Sequence, residues 1–74
     1  MSAMNAGQVI IRLNGEERQV AAGSTIAAML SAIGLDPAKV AVERNRAIVP
    51  RSTLGDVAVE DGDAFEIVHF VGGG

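Results

Sequence analysis

Residues 9–33 read Val-Ile-Ile-Arg-Leu-Asn-Gly-Glu-Glu-Arg-Gln-Val-Ala-Ala-Gly-Ser-Thr-Ile-Ala-Ala-Met-Leu-Ser-Ala-Ile, and the hydrophobic period changes part-way along. Val9-Ile10-Ile11-Arg12-Leu13 is β-rich and stops at Asn14-Gly15, the strongest short hairpin signal a sequence can carry. Residues 16–20 then read as the returning strand. Past Ala21-Ala22-Gly23, the side-chain oxygen of Ser24 or Thr25 can accept from free backbone N–H groups and cap a helix. Ile26, Met29, Leu30 and Ile33 follow at i, i+3, i+4 and i+7 and form one apolar stripe, in which Met29 reads as core filling. Gly34 stands where a left-handed residue closes a helix, and Pro37 prevents continuation.

Downstream the pattern returns to strands. Val40-Ala41-Val42-Glu43 is broken at Asn45-Arg46, and Ala47-Ile48-Val49 makes a short partner before Pro50. Residues 53–59 read as a loop with a short helical turn. Glu60-Asp61-Gly62-Asp63 is a tight acidic turn, and residues 64–71 form the last and longest strand. Two strands, one helix and then further strands predict an α+β layer, a sheet covered by a single helix. Successive side chains of a strand face opposite sides. Phe65, Ile67, His69 and Val71 therefore share one face, and Glu66, Val68 and Phe70 the other. If Phe65 and Ile67 meet the helix, Val68 and Phe70 stay outside as an apolar docking surface.

That strand runs into Val71-Gly72-Gly73-Gly74. With glycine usage of about 7%, three glycines in a row at a chain end arise by chance on the order of a few times in ten thousand. Glycine lacks a Cβ and permits close approaches that other residues block, so the tail suits a narrow channel. The group it would carry there is the α-carboxylate of Gly74, which we take as the reactive centre. The plain alternative is a frayed terminus. From Phe70, four residue steps span about 13 Å, enough to reach from a domain surface into a buried pocket.

Composition narrows the chemistry. The chain has 74 residues, of which 49% are hydrophobic, which suits one small folded domain without a deep cleft of its own. It has no cysteine, hence no disulfide framework, thiolate metal site or thiol nucleophile. Six basic and nine acidic residues give a net charge of -3, and no cluster of lysine and arginine is present to hold a phosphate backbone. Nucleic acid is not an expected partner. The N-terminal residues lack the basic and apolar regions of a secretory signal. The uncharged run over residues 19–35 is short for a span and is interrupted by glycine, serine and threonine. A cytoplasmic protein without a membrane segment is expected.

Several pieces in their shared order resemble the bacterial sulfur carrier family ThiS. They are the hairpin, Ser24-Thr25-Ile26, Val40-Ala41-Val42-Glu43-Arg44-Asn45, Ile48-Val49-Pro50-Arg51, Glu60-Asp61-Gly62-Asp63, Glu66-Ile67-Val68 and Val71-Gly72-Gly73-Gly74. The resemblance covers residues 9–74. It implies the ubiquitin-like β-grasp fold, with residues 1–8 a disordered extension, 9–71 the domain and 72–74 a flexible tail. It also implies that a ThiF-like adenylyltransferase uses ATP to convert the Gly74 carboxylate into a glycyl adenylate. Sulfur from a cysteine-derived donor then displaces AMP and leaves a thiocarboxylate, from which a ThiG-like thiazole synthase takes sulfur for the thiazole of thiamine. The chain would be a carrier and not an enzyme, with no bound cofactor and no metal. Gly74 carries over as the reacting residue, Gly72 and Gly73 as the arm, and Val68, Phe70 and Val71 as partner contacts.

Two positions depart from the family pattern. Three glycines stand where two suffice, and Leu54 occupies a place that is aromatic in many relatives. The molybdopterin synthase small subunit and ubiquitin-like modifiers share the fold and the diglycine end, though Val49-Pro50-Arg51 and the Val71 to Gly74 end favour the sulfur carrier. A β-grasp binding module without covalent chemistry is the alternative of another class. Of the remaining candidates, His69 reads as a packed or solvated strand residue rather than a base. Asp61-Gly62-Asp63 reads as a turn, because the further spaced ligands of a calcium loop are missing. Arg44, Arg46 and Arg51 read as a basic patch that could meet an acidic surface.

Overall fold

A computed structural model of the chain describes residues 7–70. Strands β1 (Gln8–Leu13) and β2 (Glu16–Ala21) form the first hairpin, helix α1 (Ile26–Ala32) follows, and β3 (Val40–Arg44) and β4 (Ala47–Val49) form a second hairpin before β5 (Ala64–His69). The five strands make one mixed sheet in the order β2-β1-β5-β3-β4. β5 is central, parallel to β1 and antiparallel to β3. This is the β-grasp arrangement that the resemblance implies. β1 begins at Gln8, one residue before the expected strand, and the carbonyl of Gly7 accepts from Ala22 N–H at 2.8 Å.

Both hairpin turns are two residues long with positive φ at both positions, Asn14 (φ 50°) with Gly15 (φ 86°) and Asn45 (φ 52°) with Arg46 (φ 73°). These are type I′ turns, whose twist matches that of the flanking strands. At α1, Thr25 is the cap, and its Oγ1 accepts from Ala28 N–H at 3.1 Å. The two preceding orphan donors find carbonyls in the connection after β4. Ile26 N–H donates to Val57 O at 2.9 Å and Ala27 N–H to Leu54 O at 2.8 Å, so the first three free N–H groups of the helix are all satisfied. At the other end Gly34 has φ 89°, with Gly34 N–H donating to Ser31 O and Leu35 N–H to Leu30 O. That pair of bonds is the Schellman closure.

The stripe reading holds: Ile26, Met29 and Leu30 are buried and Ile33 packs against them. They meet Ile11, Leu13, Val42, Phe65 and Ile67 from the sheet and Leu54 and Val59 from the long connection. Leu54, the departure from the family pattern, is a core residue. The connection differs in detail from the expected loop. A 3₁₀ turn spans Arg51–Thr53, slightly earlier than expected, and Ala58 bridges Thr25. Pro37 does not simply end structure either. It opens a second 3₁₀ turn, Pro37–Lys39, capped by Asp36, whose Oδ1 accepts from Ala38 N–H at 2.9 Å.

Candidate functional site

The last strand alternates as its sequence predicts. Phe65 and Ile67 are buried, whereas Val68 is 61% exposed and Phe70 50% exposed. Val68 pairs across the sheet with Ala41, and Glu43 pairs with both Glu66 and Ile48. Residues paired in register share a face. Ile48 therefore lies on the same outer face as Val68, and at 77% exposure it is the most open large apolar side chain described. Sequence reading did not single it out. In a three-residue strand, alternation alone does not say which face Ile48 takes, and the register with Glu43 decides it.

β5 ends at His69, two residues short of the expected strand end, and Phe70 N–H donates to Lys39 O at 3.0 Å. The guanidinium of Arg51 lies 4.9 Å from the Phe70 ring centroid. Both line a shallow apolar pocket of about 170 Å³, together with Val40, Ile48, Val49, Pro50 and Leu54 among others. Ile48 and Phe70 thus share one pocket, and Val68 lies on the outer face two residues before Phe70. Val71, Gly72, Gly73 and Gly74, the expected contact, arm and reacting residue, lie outside the described residues, as do residues 1–6. His69 is exposed.

The basic patch does not form. Arg44 turns to Asp63, its Nε donating to Oδ2 at 2.9 Å, and reaches Glu60 at 4.0 Å. Arg46 sits in the hairpin turn, while Arg51 follows the opposite end of β4. Three strand residues at about 3.3 Å each separate the two ends. The acidic turn is structural. Asp61 Oδ1 accepts from Ile10 N–H at 2.8 Å, and the buried Asp63 accepts from Arg44, Asn45 Nδ2 and Glu60 N–H. Among the described residues no group of three or more His, Cys, Asp or Glu is placed to hold a metal. No described helix is long and apolar enough to cross a membrane.

A sequence profile of the ThiS family matches residues 11–74. This chain belongs to the ThiS family. It is 38% identical to the sulfur carrier protein ThiS of Bacillus subtilis over 66 residues, covering 88% of this chain and 100% of that protein. A crystal structure of the thiamine biosynthesis protein ThiS from Geobacter metallireducens superposes with a TM-score of 0.74 at 32% identity, covering 89% of this chain and 100% of that one. Both matches run over the whole length of the relative. The chain is also 56% identical over 62 residues to a thiazole synthase of Paramagnetospirillum magneticum and 50% identical over 64 residues to one of Magnetococcus marinus. Those matches cover 84% and 86% of this chain, which spans about a fifth of the length of either synthase, 19% and 20%.

Proposed function

We propose that this chain carries sulfur as a thiocarboxylate on Gly74 and delivers it for the thiazole of thiamine. The observation that carries the reading is the course of β5. Its buried face anchors it at the centre of the sheet, its exposed face offers Val68, and it leads through the half-exposed Phe70 to a sequence that the ThiS family matches through Gly74. A free α-carboxyl has a pKa of about 3.5, so at neutral pH it is an anion and a poor electrophile. One carboxylate oxygen attacks the α-phosphorus of ATP, pyrophosphate leaves, and the acyl adenylate gains AMP as a leaving group. Sulfur derived from cysteine and delivered as hydrosulfide displaces AMP, and the carbonyl carbon retains one oxygen and one sulfur with no change of oxidation state. The chain is a protein co-substrate in these steps. The ThiF-like adenylyltransferase consumes the ATP, in the cytoplasm where ATP is available, and no cofactor is held by the carrier itself.

Docking must involve the domain as well as the arm. Ordering Gly72, Gly73 and Gly74 costs about 1–2 kcal/mol each. Covering one large apolar side chain contributes about 1.5–3 kcal/mol when it goes from fully exposed to fully buried. Val68, Phe70 and Ile48, already partly covered, together offset a cost of that size. The recipient we infer is a ThiG-like synthase, supported by the strong likeness to segments of two proteins named thiazole synthase.

Intact mass spectrometry after incubation with ATP, the adenylating partner and a sulfur source tests the reading. A gain equal to one oxygen replaced by sulfur, localised to the C-terminal peptide and lost when one residue is added after Gly74, is the expected result. An unchanged mass beside an active partner overturns it.

A further inference from the structure

The sheet stops holding the chain at His69, and the next residue is held by two contacts of different kinds. One is the backbone bond from Phe70 N–H to Lys39 O at 3.0 Å, and the other is the Arg51 guanidinium at 4.9 Å from the ring centroid. A cation over an aromatic face within about 6 Å is attracted by the ring quadrupole. The backbone that carries the exposed Arg51 is well anchored. Pro50 has φ -58°, Thr53 N–H and Thr53 Oγ1 both donate to Pro50 O at 2.9 and 2.8 Å, and Leu54, three residues on, is buried. Among the described residues Arg51 makes no ion pair, unlike Arg18 and Arg44. A fixed platform and a ring with half its surface open therefore meet at the last described residue before the glycine arm.

We propose that Arg51 is a positioning residue for the tail: by clamping the Phe70 ring it fixes the point from which the arm departs. The inference rests on the sulfur-carrier reading of Gly74. With Phe70 held, the arm has four residues and a maximal reach of about 13 Å. With Phe70 released, the arm is longer but starts from no fixed place, and only the fraction of molecules with the correct departure is competent to dock. Apparent affinity falls by that fraction. An exposed contact of this type shifts such an equilibrium about two- to five-fold.

The test pairs a measurement on the carrier alone with one on the reaction. In Arg51→Ala the backbone 15N–1H heteronuclear NOE of Phe70 falls while those of residues 65–68 stay unchanged. With an adenylyltransferase partner and ATP, followed by pyrophosphate release, the KM for the carrier rises about two- to five-fold with kcat unchanged, and Arg51→Lys recovers part of the loss. Phe70→Leu, which keeps apolar bulk and removes the ring, gives a similar rise, and adding Arg51→Ala to it changes nothing further. Independent effects of the two substitutions show instead that Arg51 touches the partner directly, and overturn the proposal. So does an unchanged Phe70 amide in Arg51→Ala. Because the amide measurement needs no partner, failure of the sulfur-carrier reading in the mass experiment is distinguishable from failure of the clamp.

Discussion

Two asparagines and one aspartate do more in this molecule than their place in turns implies. Asn14 sits at φ 50° and also pairs its amide with the backbone of the central strand, accepting from Ile67 N–H at 2.7 Å and donating to Ile67 O at 3.2 Å. Asn45 meets the start of β5, accepting from Ala64 N–H at 2.9 Å, and donates to the side chain of Asp63, Nδ2 to Oδ1 at 3.1 Å. Asp63, 5% exposed, gathers Arg44, Asn45 and Glu60 N–H. Removing a buried acceptor with three donors breaks three hydrogen bonds at once and leaves the half-buried Arg44 guanidinium with only Glu60, at 4.0 Å. Asp63→Ala therefore lowers stability by about 2–4 kcal/mol, read as a fall in the urea midpoint at unchanged slope. The turn propensity of all three residues was legible in the sequence. Most of their partners were not, because apart from Glu60 N–H, three residues before Asp63, those lie 18 to 53 positions away.

At the scale of elements, each hairpin and the helix carry their own local instructions, with one exception. Asn14-Gly15 suits a turn that needs positive φ twice, whereas Asn45-Arg46 places a residue with a Cβ at φ 73°. That conformation costs a non-glycine residue about 1–2 kcal/mol. Arg46 is exposed, so little contact is lost on its removal. Arg46→Gly is expected to raise stability by about 0.5–1 kcal/mol, part of the relief being offset by the freedom glycine adds to the unfolded chain, and a higher melting temperature in a circular dichroism scan checks it. The caps of α1 show the same division. Thr25 and Gly34 were readable from type and spacing, but the carbonyls of Leu54 and Val57 that satisfy the first two N–H groups come from a segment whose sequence carries no regular period.

Across the whole molecule, placing β5 between β1 and β3 makes the strand that bears the tail also the best supported one. The outer face of the sheet then presents Val68 beside Ala41, with Ile48 on the far side of β3, opposite Glu43 and two residues further along. Val68→Glu and Ile48→Lys put charge on open positions, and the lysine stands opposite Glu43 across the sheet, so both variants should unfold at the temperature of the parent. Each is expected to slow thiocarboxylate formation or sulfur transfer at least about ten-fold, the effect of some 1.4 kcal/mol of lost docking. Mass spectrometry of the C-terminal peptide over time measures it, and wild-type rates in both variants would remove this face from the docking surface.

By itself the sequence determined the local pieces: where the hairpins turn, where the helix starts and stops, which alternate residues of β5 go inward, and the glycine-rich end. Those are effects of neighbours within a few residues, set by backbone sterics and by periods of two and 3.6. Tertiary structure alone decided that Ile48 joins Val68 on one face, that Arg44 is drawn away to Asp63, and that Arg51 stacks on Phe70, 19 positions further along the chain. Each of these depends on strand order and register, which bring together residues that no local spacing relates.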